Sequence, residues 1–192
     1  MKLEALKNGT AVVLREPTME DVETLRKFFL SLPPEDQRYL RDDVTQREVI
    51  ERRIRQSQSG EIRRLMALVG DDVVAVGALE LAGERWQRHI GEIRVVVGQD
   101  YRGQRLGALL IAELFQDAQK QEVEKVVVRM AAGQAGARKI CERLGFRVDA
   151  VLPDHIKDAE GKLHAQVIMS CTLDELWREL SDFNKADDWP DG

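Results

Sequence analysis

Two spacings of apolar residues recur along the chain and divide it into predicted strands and helices. Short runs with a period of two, or without polar breaks, indicate strands, and longer runs with a period near 3.6 indicate amphipathic helices. Strands are predicted over residues 10–15, 64–69, 73–81, 89–97, 125–130, 146–152 and 164–172. Helices are predicted over residues 18–30, from about residue 35, and over residues 45–57, 106–121 and 134–144.

Short polar motifs mark where these elements begin and end. Thr18-x-x-Asp21 and Thr45-x-x-Glu48 have the spacing of a capping box, which predicts helix starts. Gly145 has the place of a left-handed cap after the last predicted helix. Early antiparallel strands followed by two strand–helix units predict an α/β (α+β) fold with a mixed, mostly antiparallel central sheet flanked by helices.

Length and charge limit the possible classes of protein. The chain has 192 residues, 43% of them hydrophobic, and is long enough to bury a core without disulfides. We expect one domain over residues 1–173, followed by an acidic helix and tail over residues 174–192. That C-terminal segment holds seven acidic and two basic side chains, which accounts for the net charge of −5. The rest of the chain is balanced and lacks the basic field of a nucleic-acid-binding protein.

The apolar runs and the cysteines indicate where the protein works. No run is long enough to span a membrane, and no apolar signal region precedes the first charges. Cys141 and Cys171, with three histidines, give neither a disulfide framework nor a zinc pattern. We therefore expect a reduced, cytoplasmic protein with no metal, no membrane partner and no nucleic-acid partner.

The most informative segment joins the strand at residues 89–97 to the helix that follows it. The apolar strand stops at Gly98, and a turn bearing Arg102 and Arg105 leads into the helix at Leu106. The first amides of a helix have no intrahelical acceptor and lie at the positive end of the helix dipole, so they bind anions. Arginines beside them can add bidentate hydrogen bonds to a phosphate. The segment predicts a phosphate site; the alternative is a glycine-containing turn without a ligand.

Two common phosphate loops do not fit the spacing. The dinucleotide motif needs G-x-G-x-x-G, and Gly98, Gly103 and Gly107 are too far apart for it. The nucleoside-triphosphate loop needs Lys and then Ser or Thr after its second glycine, where this chain has Gln104-Arg105. Both classes of site are therefore excluded.

A third loop fits better. The segment over residues 101–110 resembles the coenzyme A pyrophosphate loop of the GNAT (GCN5-related N-acetyltransferase) superfamily, whose pattern is Q/R-x-x-G-x-G/A. Arg102 matches the first position and Gly107 the last, whereas Arg105 stands where a glycine is usual. If the loop needs a positive φ at that residue, the arginine costs about 1–2 kcal/mol.

The resemblance extends over about residues 10–173 and implies the acyl-CoA N-acyltransferase fold, with acetyl-CoA as acyl donor and no metal. Residues 137–146, which end in Leu-Gly-Phe, resemble the helix that closes the family's cofactor site. The loop would grip the pyrophosphate, the strand before it would pair with the pantetheine arm, and Gln134 stands where the family often has an asparagine. The implied cofactor-binding residues are Val95, Val96, Val97, Arg102, Gly103, Gln104, Arg105, Leu106, Gly107, Ala108 and Gln134.

Two residues are candidates for proton transfer. Glu92 lies on the strand before the loop, where the family often has a glutamate that takes the proton of the amine, directly or through water. A carboxylate in a mostly apolar strand can serve as a general base; the alternative is an ion pair with Arg94 or Arg102. Cys141 stands where the family usually has a tyrosine that protonates the leaving thiolate. The alternative is a small buried cysteine, with water or Tyr101 as the acid.

These features predict an acetyl-CoA-dependent N-acetyltransferase that transfers the acetyl group directly to a primary amine. A protein lysine or N-terminus is the first choice of acceptor, because the strand around Glu92 and residues 28–41 are similar to some bacterial protein-lysine acetyltransferases. A small amine is the second choice. The rival hypothesis is a non-catalytic acyl-CoA sensor, supported by the replaced tyrosine and glycine. Both a monomer and a homodimer are compatible with the sequence.

Overall fold

The computed structural model describes residues 1–183 apart from residues 61, 82 and 159. The strands are β1 (Lys2–Ala5), β2 (Ala11–Arg15), β3 (Ile62–Val69), β4 (Asp72–Leu81), β5 (Ile90–Val97), β6 (Lys125–Ala131), β7 (Arg147–Lys157) and β8 (Leu163–Thr172). The helices are α1 (Val22–Ser31), α2 (Pro34–Gln37), α3 (Arg47–Gln58), α4 (Leu106–Lys120), α5 (Ala135–Arg143) and α6 (Leu173–Phe183).

All eight strands form one sheet in the order β1-β2-β3-β4-β5-β6-β8-β7. Neighbouring strands are antiparallel except β5 and β6, which are parallel. The predicted α/β fold with a mixed, mostly antiparallel sheet flanked by helices is therefore confirmed.

Two hydrophobic clusters, one on each face of the sheet, hold the layers together. The first contains the buried leucines of α4, and the second contains the buried phenylalanines and isoleucines of α1 and α3. Alternate residues of a strand point to opposite faces, and β5 follows this rule. Val95 and Val97 pack on the first cluster, whereas Val96 packs on the second. Burying one side chain of this size contributes about 1.5–3 kcal/mol.

The parallel contact between β5 and β6 is short. Among the described residues, only residues 90–92 of β5 pair with residues 125–127 of β6. Both strands continue past this contact, β5 to Val97 and β6 to Ala131, but they diverge. The opening between them, the fork, leaves the β6-facing edge of β5 without a backbone partner in the described part of the chain.

One of the two predicted capping boxes is wrong. The first is formed, since Asp21 Oδ2 accepts from the Thr18 N–H at 2.7 Å and opens a short 3-10 turn before α1. The second is not, because α3 begins at Arg47 with Gln46 as its N-cap. The Thr45 hydroxyl and N–H instead donate to Asp43, whose carboxylate lies two residues upstream and stabilises a local turn.

Both edges of the sheet differ from the prediction. No strand is predicted at residues 2–5, yet the mostly exposed β1 pairs there with β2. Strand β7 runs five residues past its predicted end, through Pro153, to Lys157. Proline is tolerated on an edge strand, where its missing N–H faces solvent. The register of β7 is irregular between Leu152 and Ile156. The irregularity interrupts the alternation of residues by which a strand is predicted from sequence.

Helix α6 shares its core with the rest of the chain. Leu176 and Leu180 are buried in the first cluster, so the predicted boundary at residue 173 does not coincide with a break in the core. The predicted acidic tail lies at residues 184–192, outside the described residues. Within residues 1–183 and their gaps, no helix combines the length and apolarity that a bilayer crossing requires. In the same part of the chain, no group of three or more metal-binding side chains is found.

Candidate active site

The predicted phosphate-binding turn lies at the open end of the fork. Strand β5 ends at Val97, and the Gly98 N–H donates to Val74 O at 2.9 Å. A Cβ at position 98 would lie 3.1 Å from that oxygen, so the close approach of the two backbones favours glycine. A short 3-10 turn, Gln99–Tyr101, then leads through residues 102–105 into α4.

The loop contains two residues with a left-handed backbone. Gly103 has a φ of 69°, and Arg105, the N-cap of α4, has a φ of 67° and a ψ of 4°. The position where the resembled loop has a glycine therefore does need a positive φ, and the arginine costs about 1–2 kcal/mol there. Strain of this kind persists where the surrounding structure holds it, and it clusters at functional sites.

The first three amides of α4 are available to an anion. The Leu109 N–H donates to Arg105 O at 3.0 Å and is the first in the helix to find a carbonyl. The amides of Leu106, Gly107 and Ala108 therefore have no intrahelical acceptor, and they lie at the positive end of the helix dipole. A Cβ on Gly107 would meet β5 at 3.6 Å, so glycine or alanine fits that position. These features fit a pyrophosphate.

Arg102 links the loop to helix α2. Its Nε donates to Val97 O at 3.3 Å, and its guanidinium group forms an ion pair with Asp36. The side chain is 44% exposed. A phosphate that binds here would share the guanidinium group with Asp36 or replace that carboxylate.

A cavity of about 650 Å³ occupies the fork, a size typical of small-molecule sites. Its wall includes α4 and α5 on one face of the sheet and α1 and α3 on the other. The predicted cofactor residues in this wall are Val95, Val96, Val97, Arg102, Gly103, Arg105, Leu106, Gly107, Ala108 and Gln134. Gln104 does not line the cavity, and its carbonyl accepts from the Lys7 N–H at 3.4 Å.

Two further predicted residues belong to helix α5, Gln134 as its N-cap and Cys141 within it. Gln134 Oε1 accepts from the Ala131 N–H at 2.9 Å, which joins the end of β6 to α5. Cys141 lines the cavity, and burial raises the pKa of its thiol to about 12. A free thiol has a pKa of about 8.5. Proton transfer from Cys141 to a leaving thiolate would therefore be unfavourable in free energy. Tyr101 also lines the cavity.

Glu92 lies at the closed end of the fork, and its side chain is 10% exposed. Its carboxylate forms ion pairs with Arg41, between α2 and α3, and with Arg129 on β6. Both arginines line the cavity, whereas Glu92 itself does not. The two partners considered from the sequence, Arg94 and Arg102, pair with other carboxylates.

The sequence prediction missed the arginines of the cavity wall on the α1/α3 face. They are Arg41, Arg53, Arg64, Arg94 and Arg129. For two of them, the sequence spacing could have predicted that the side chain lies on the inner side of its element. Arg53 follows the buried Ile50 at i, i+3, which places it on the inner side of its helix. Arg64 precedes Met66 of the second cluster by two residues, which places it on the inner face of β3.

Comparison with known proteins identifies the family. The acetyltransferase (GNAT) family model matches residues 23–146, more than half of the chain. Comparison with curated protein sequences gives no match.

Solved structures share the fold at low identity. A GNAT-family acetyltransferase from Streptococcus pneumoniae is 21% identical, with a TM-score of 0.70, over 84% of this chain and 99% of that chain. Ribosomal-protein-alanine N-acetyltransferase from Brucella melitensis is 20% identical, with a TM-score of 0.69, over 83% and 99% of the two chains. The yncA protein from Salmonella typhimurium, solved with its cofactor acetyl-CoA, is 17% identical, with a TM-score of 0.70, over 94% and 98%.

The family match spans the two segments that resemble the family from sequence alone, the loop at the start of α4 and the helix that ends in Leu-Gly-Phe. The first amides of α4, which have no intrahelical acceptor, and the cavity beside them fit an acyl-CoA donor. The chain thus belongs to the GNAT family of acetyltransferases, and it is an acetyl-CoA-dependent N-acetyltransferase.

Proposed function

We propose that the protein transfers the acetyl group of acetyl-CoA directly to a primary amine. The donor would lie on the α4 side of the sheet, and the amine would enter from the α1/α3 side. The observation that carries this proposal is the fork, because a single cavity opens onto both faces through the gap between β5 and β6. Donor and acceptor can therefore meet without a covalent intermediate on the protein.

The chain offers a separate group to each part of the donor. The amides of residues 106–108, with Arg102 and Arg105, would hold the pyrophosphate. The unpaired edge of β5 would bind the pantetheine arm as a strand binds its neighbour. A backbone N–H of residues 95–97 would polarise the carbonyl to be attacked, and one preorganised donor of this kind is worth about 3–4 kcal/mol. Acetyl-CoA supplies an acyl group activated as a thioester.

Glu92 is the first choice of general base. Its carboxylate has about four lone-pair sites, so the two ion pairs leave it able to accept a further hydrogen bond. Because Glu92 does not line the cavity, a water-mediated route suits it better than direct contact with the amine. The acid is water or Tyr101 in preference to Cys141, whose raised pKa makes it a poor proton donor.

A small amine takes precedence over a protein lysine as acceptor. The α1/α3 half of the cavity is walled by buried side chains such as Leu25, Phe29 and Ile50 and by guanidinium groups. A wall of this kind suits a compact ligand and repels a peptide that carries further cations.

The proposal is tested by measuring thiol release from acetyl-CoA with a panel of small amines and lysine peptides. We expect release that depends on both the amine and the protein. A rise in melting temperature with acetyl-CoA, without thiol release in the presence of any amine, would favour the acyl-CoA sensor.

Substitution of the proposed base is a second test. We expect Glu92→Gln to lower kcat by about 10²- to 10⁴-fold, the usual share of a general base, while the Kd for coenzyme A stays nearly constant. The matched control is Glu51→Gln on α3, because Glu51 also bridges two arginines, Arg47 and Arg55. Neither of these arginines lines the cavity, whereas both partners of Glu92 do. Equal kcat values for the wild type and Glu92→Gln would remove Glu92 from the mechanism.

A further inference from the structure

The α1/α3 half of the cavity has more cations than anions. Its five described arginines are Arg41, Arg53, Arg64, Arg94 and Arg129. The carboxylates that contact them are Glu80, Glu92 and Asp42. None of these three carboxylates lines the cavity, whereas all five arginines do. Two other carboxylates in the wall, Glu35 and Asp36, lie on α2, and Asp36 pairs with Arg102. A ligand on this side therefore meets a cationic surface.

The sheet register and helix α3 bring three of these arginines together. Arg64 on β3 and Arg94 on β5 lie on either side of Ala78 of β4, on the same face. The small Ala78 side chain leaves room between the two longer ones. Arg53 reaches this row from α3, and its carbonyl accepts from Arg64 Nε at 3.0 Å. Arg53, Arg64 and Arg94 form the arginine cluster.

The arginine cluster retains hydrogen-bonding capacity. Arg94 Nε is buried and has no acceptor among the described residues. The guanidinium group of Arg64 reaches Gln56 only at 3.5 Å. Burial, and then repulsion from Arg53 and Arg94, lowers the pKa of Arg64 to about 10, so the group is still charged at neutral pH. Arg94 pairs with Glu80, and Arg53 approaches Asp42 at 3.9 Å, whereas the buried Arg64 has no counter-ion among the described residues. A buried charge without a counter-ion favours an anionic partner.

We propose that the acceptor is a small amine that carries a carboxylate, and that this carboxylate binds Arg53, Arg64 and Arg94. The inference rests on the proposed function, since it names the acceptor class of the same site. Leu25 and Phe29 in the adjoining wall suit an apolar body, so amino acids with apolar side chains are the first candidates. In the reaction the amine nitrogen bonds to the acetyl carbon, the carbon–sulfur bond breaks, and the proton lost by nitrogen ends on the thiol.

The experiment compares free amino acids with their amides. Thiol release from acetyl-CoA is measured with L-leucine, L-methionine and L-phenylalanine, and with leucinamide, methioninamide and phenylalaninamide. We expect kcat/KM to be at least about tenfold higher for the acids, the loss expected when a hydrogen bond to a charged group is removed. The amides have the less basic amines, so more of each amide is neutral, and amine basicity cannot explain a preference for the acids.

Substitution of arginines in the cluster tests where the carboxylate of the acceptor binds. Arg53→Gln and Arg94→Gln should each raise the KM of the acids about 10- to 100-fold, with the KM of the amides and the Kd of coenzyme A nearly unchanged. The control is Arg55→Gln, because Arg55 lies on the same helix, is 62% exposed and pairs with Glu51. We expect it to leave all three constants unchanged.

Two results would overturn the inference and leave the N-acetyltransferase proposal standing. One is a wild-type kcat/KM for the amides or for lysine peptides that equals or exceeds that of the acids. The other is an equal effect of the two cluster variants on acids and amides. Thiol release with none of the amines, in protein that still binds coenzyme A, would contradict the proposed function itself. The comparison of acids with amides in the wild type needs no variant and does not depend on how a variant folds.

Discussion

Gly103 illustrates how one residue can determine the shape of the loop at residues 98–107, the proposed donor loop. Its φ of 69° is a conformation that glycine adopts freely and that other residues adopt only with strain. We expect Gly103→Ala to lower the free energy of unfolding by about 1–2 kcal/mol and to raise the Kd for coenzyme A, as thermal melts and calorimetry would measure. Gly136→Ala is the control, because a Cβ there meets nothing within 4 Å in helix α5 and alanine favours a helix. A stability loss of the same size in both variants would contradict this account.

Cys141 allows a second prediction about a single residue. Because burial raises the pKa of its thiol to about 12, it holds its proton more tightly than a leaving thiolate would. We expect Cys141→Ala to keep kcat within about threefold of the wild type, well short of the 10²-fold share of a general acid. A loss of 10²-fold or more in steady-state kcat, with coenzyme A still bound, would make Cys141 the acid after all.

The sequence could predict the position of Glu92 but not its surroundings. Strand periodicity assigns its face relative to Val95 and Val97, and that alternation is local. Its ion-pair partners are 51 residues before it and 37 residues after it. No local pattern relates residues so far apart, and the same limit hides the row formed by Arg64 and Arg94, which depends on the register of three strands.

At the scale of elements, the fork is the feature that matters and the one that a pattern search cannot find. Residues 89–97 and 125–130 are both predicted as strands, and both are strands in the structure. Periodicity indicates that a segment is extended and which residues share a face, but it does not indicate how far two strands stay together. Edge strands are also hard to predict, as β1 and the end of β7 illustrate, because an exposed edge tolerates polar residues and proline.

Hydrogen exchange measures whether the fork receives the donor. In the free protein, amides of residues 93–97 that face β6 have no strand partner among the residues that the structure describes, so we expect them to exchange faster than amides in the ladder between β3 and β4. Saturating coenzyme A should slow exchange in these residues and in residues 103–108, with little change between β3 and β4. Unchanged exchange in β5, in protein shown by calorimetry to have bound coenzyme A, would mean that the pantetheine arm lies elsewhere.

At the scale of the whole molecule, acid sensitivity is expected from the turn that joins β7 to β8. A hydrogen bond from His164 at 2.7 Å, with others from the amides of Lys162 and Glu160, lowers the pKa of Asp158. A carboxyl group whose pKa is lower in the folded state stabilises the fold above its ordinary pKa of about 3.9, and this contribution is lost as the pH falls through the folded value. We expect the melting temperature of the wild type to exceed that of Asp158→Asn at pH 6. The difference should shrink as the pH falls below about 4, and a difference independent of pH between 6 and 2 would contradict the assignment.

The fold class could be predicted for the whole chain because it depends on the order of elements, which the apolar pattern contains. The acceptor could not, because the wall that would recognise it combines α1, α3, β3, β5 and β6, which are distant in the chain. Local motifs indicate the proposed donor loop, because residues 98–107 are consecutive. They were not enough for the arginine cluster, whose three members come from three elements.

The antiparallel strand pairs fall into two continuous stretches of the chain, residues 2–97 and residues 125–172. Within the described part of the sheet, only the short contact at residues 90–92 joins the two stretches. A crossover at residues 121–124 would keep every antiparallel ladder within one parent, and only three backbone pairs would need to form across the junction. Chimeras between this chain and a relative of the same family are therefore a practical route to new acceptors. The donor loop would come from the first parent and the closing helix from the second, and the apolar contacts of the first cluster would be the part that the parents must match.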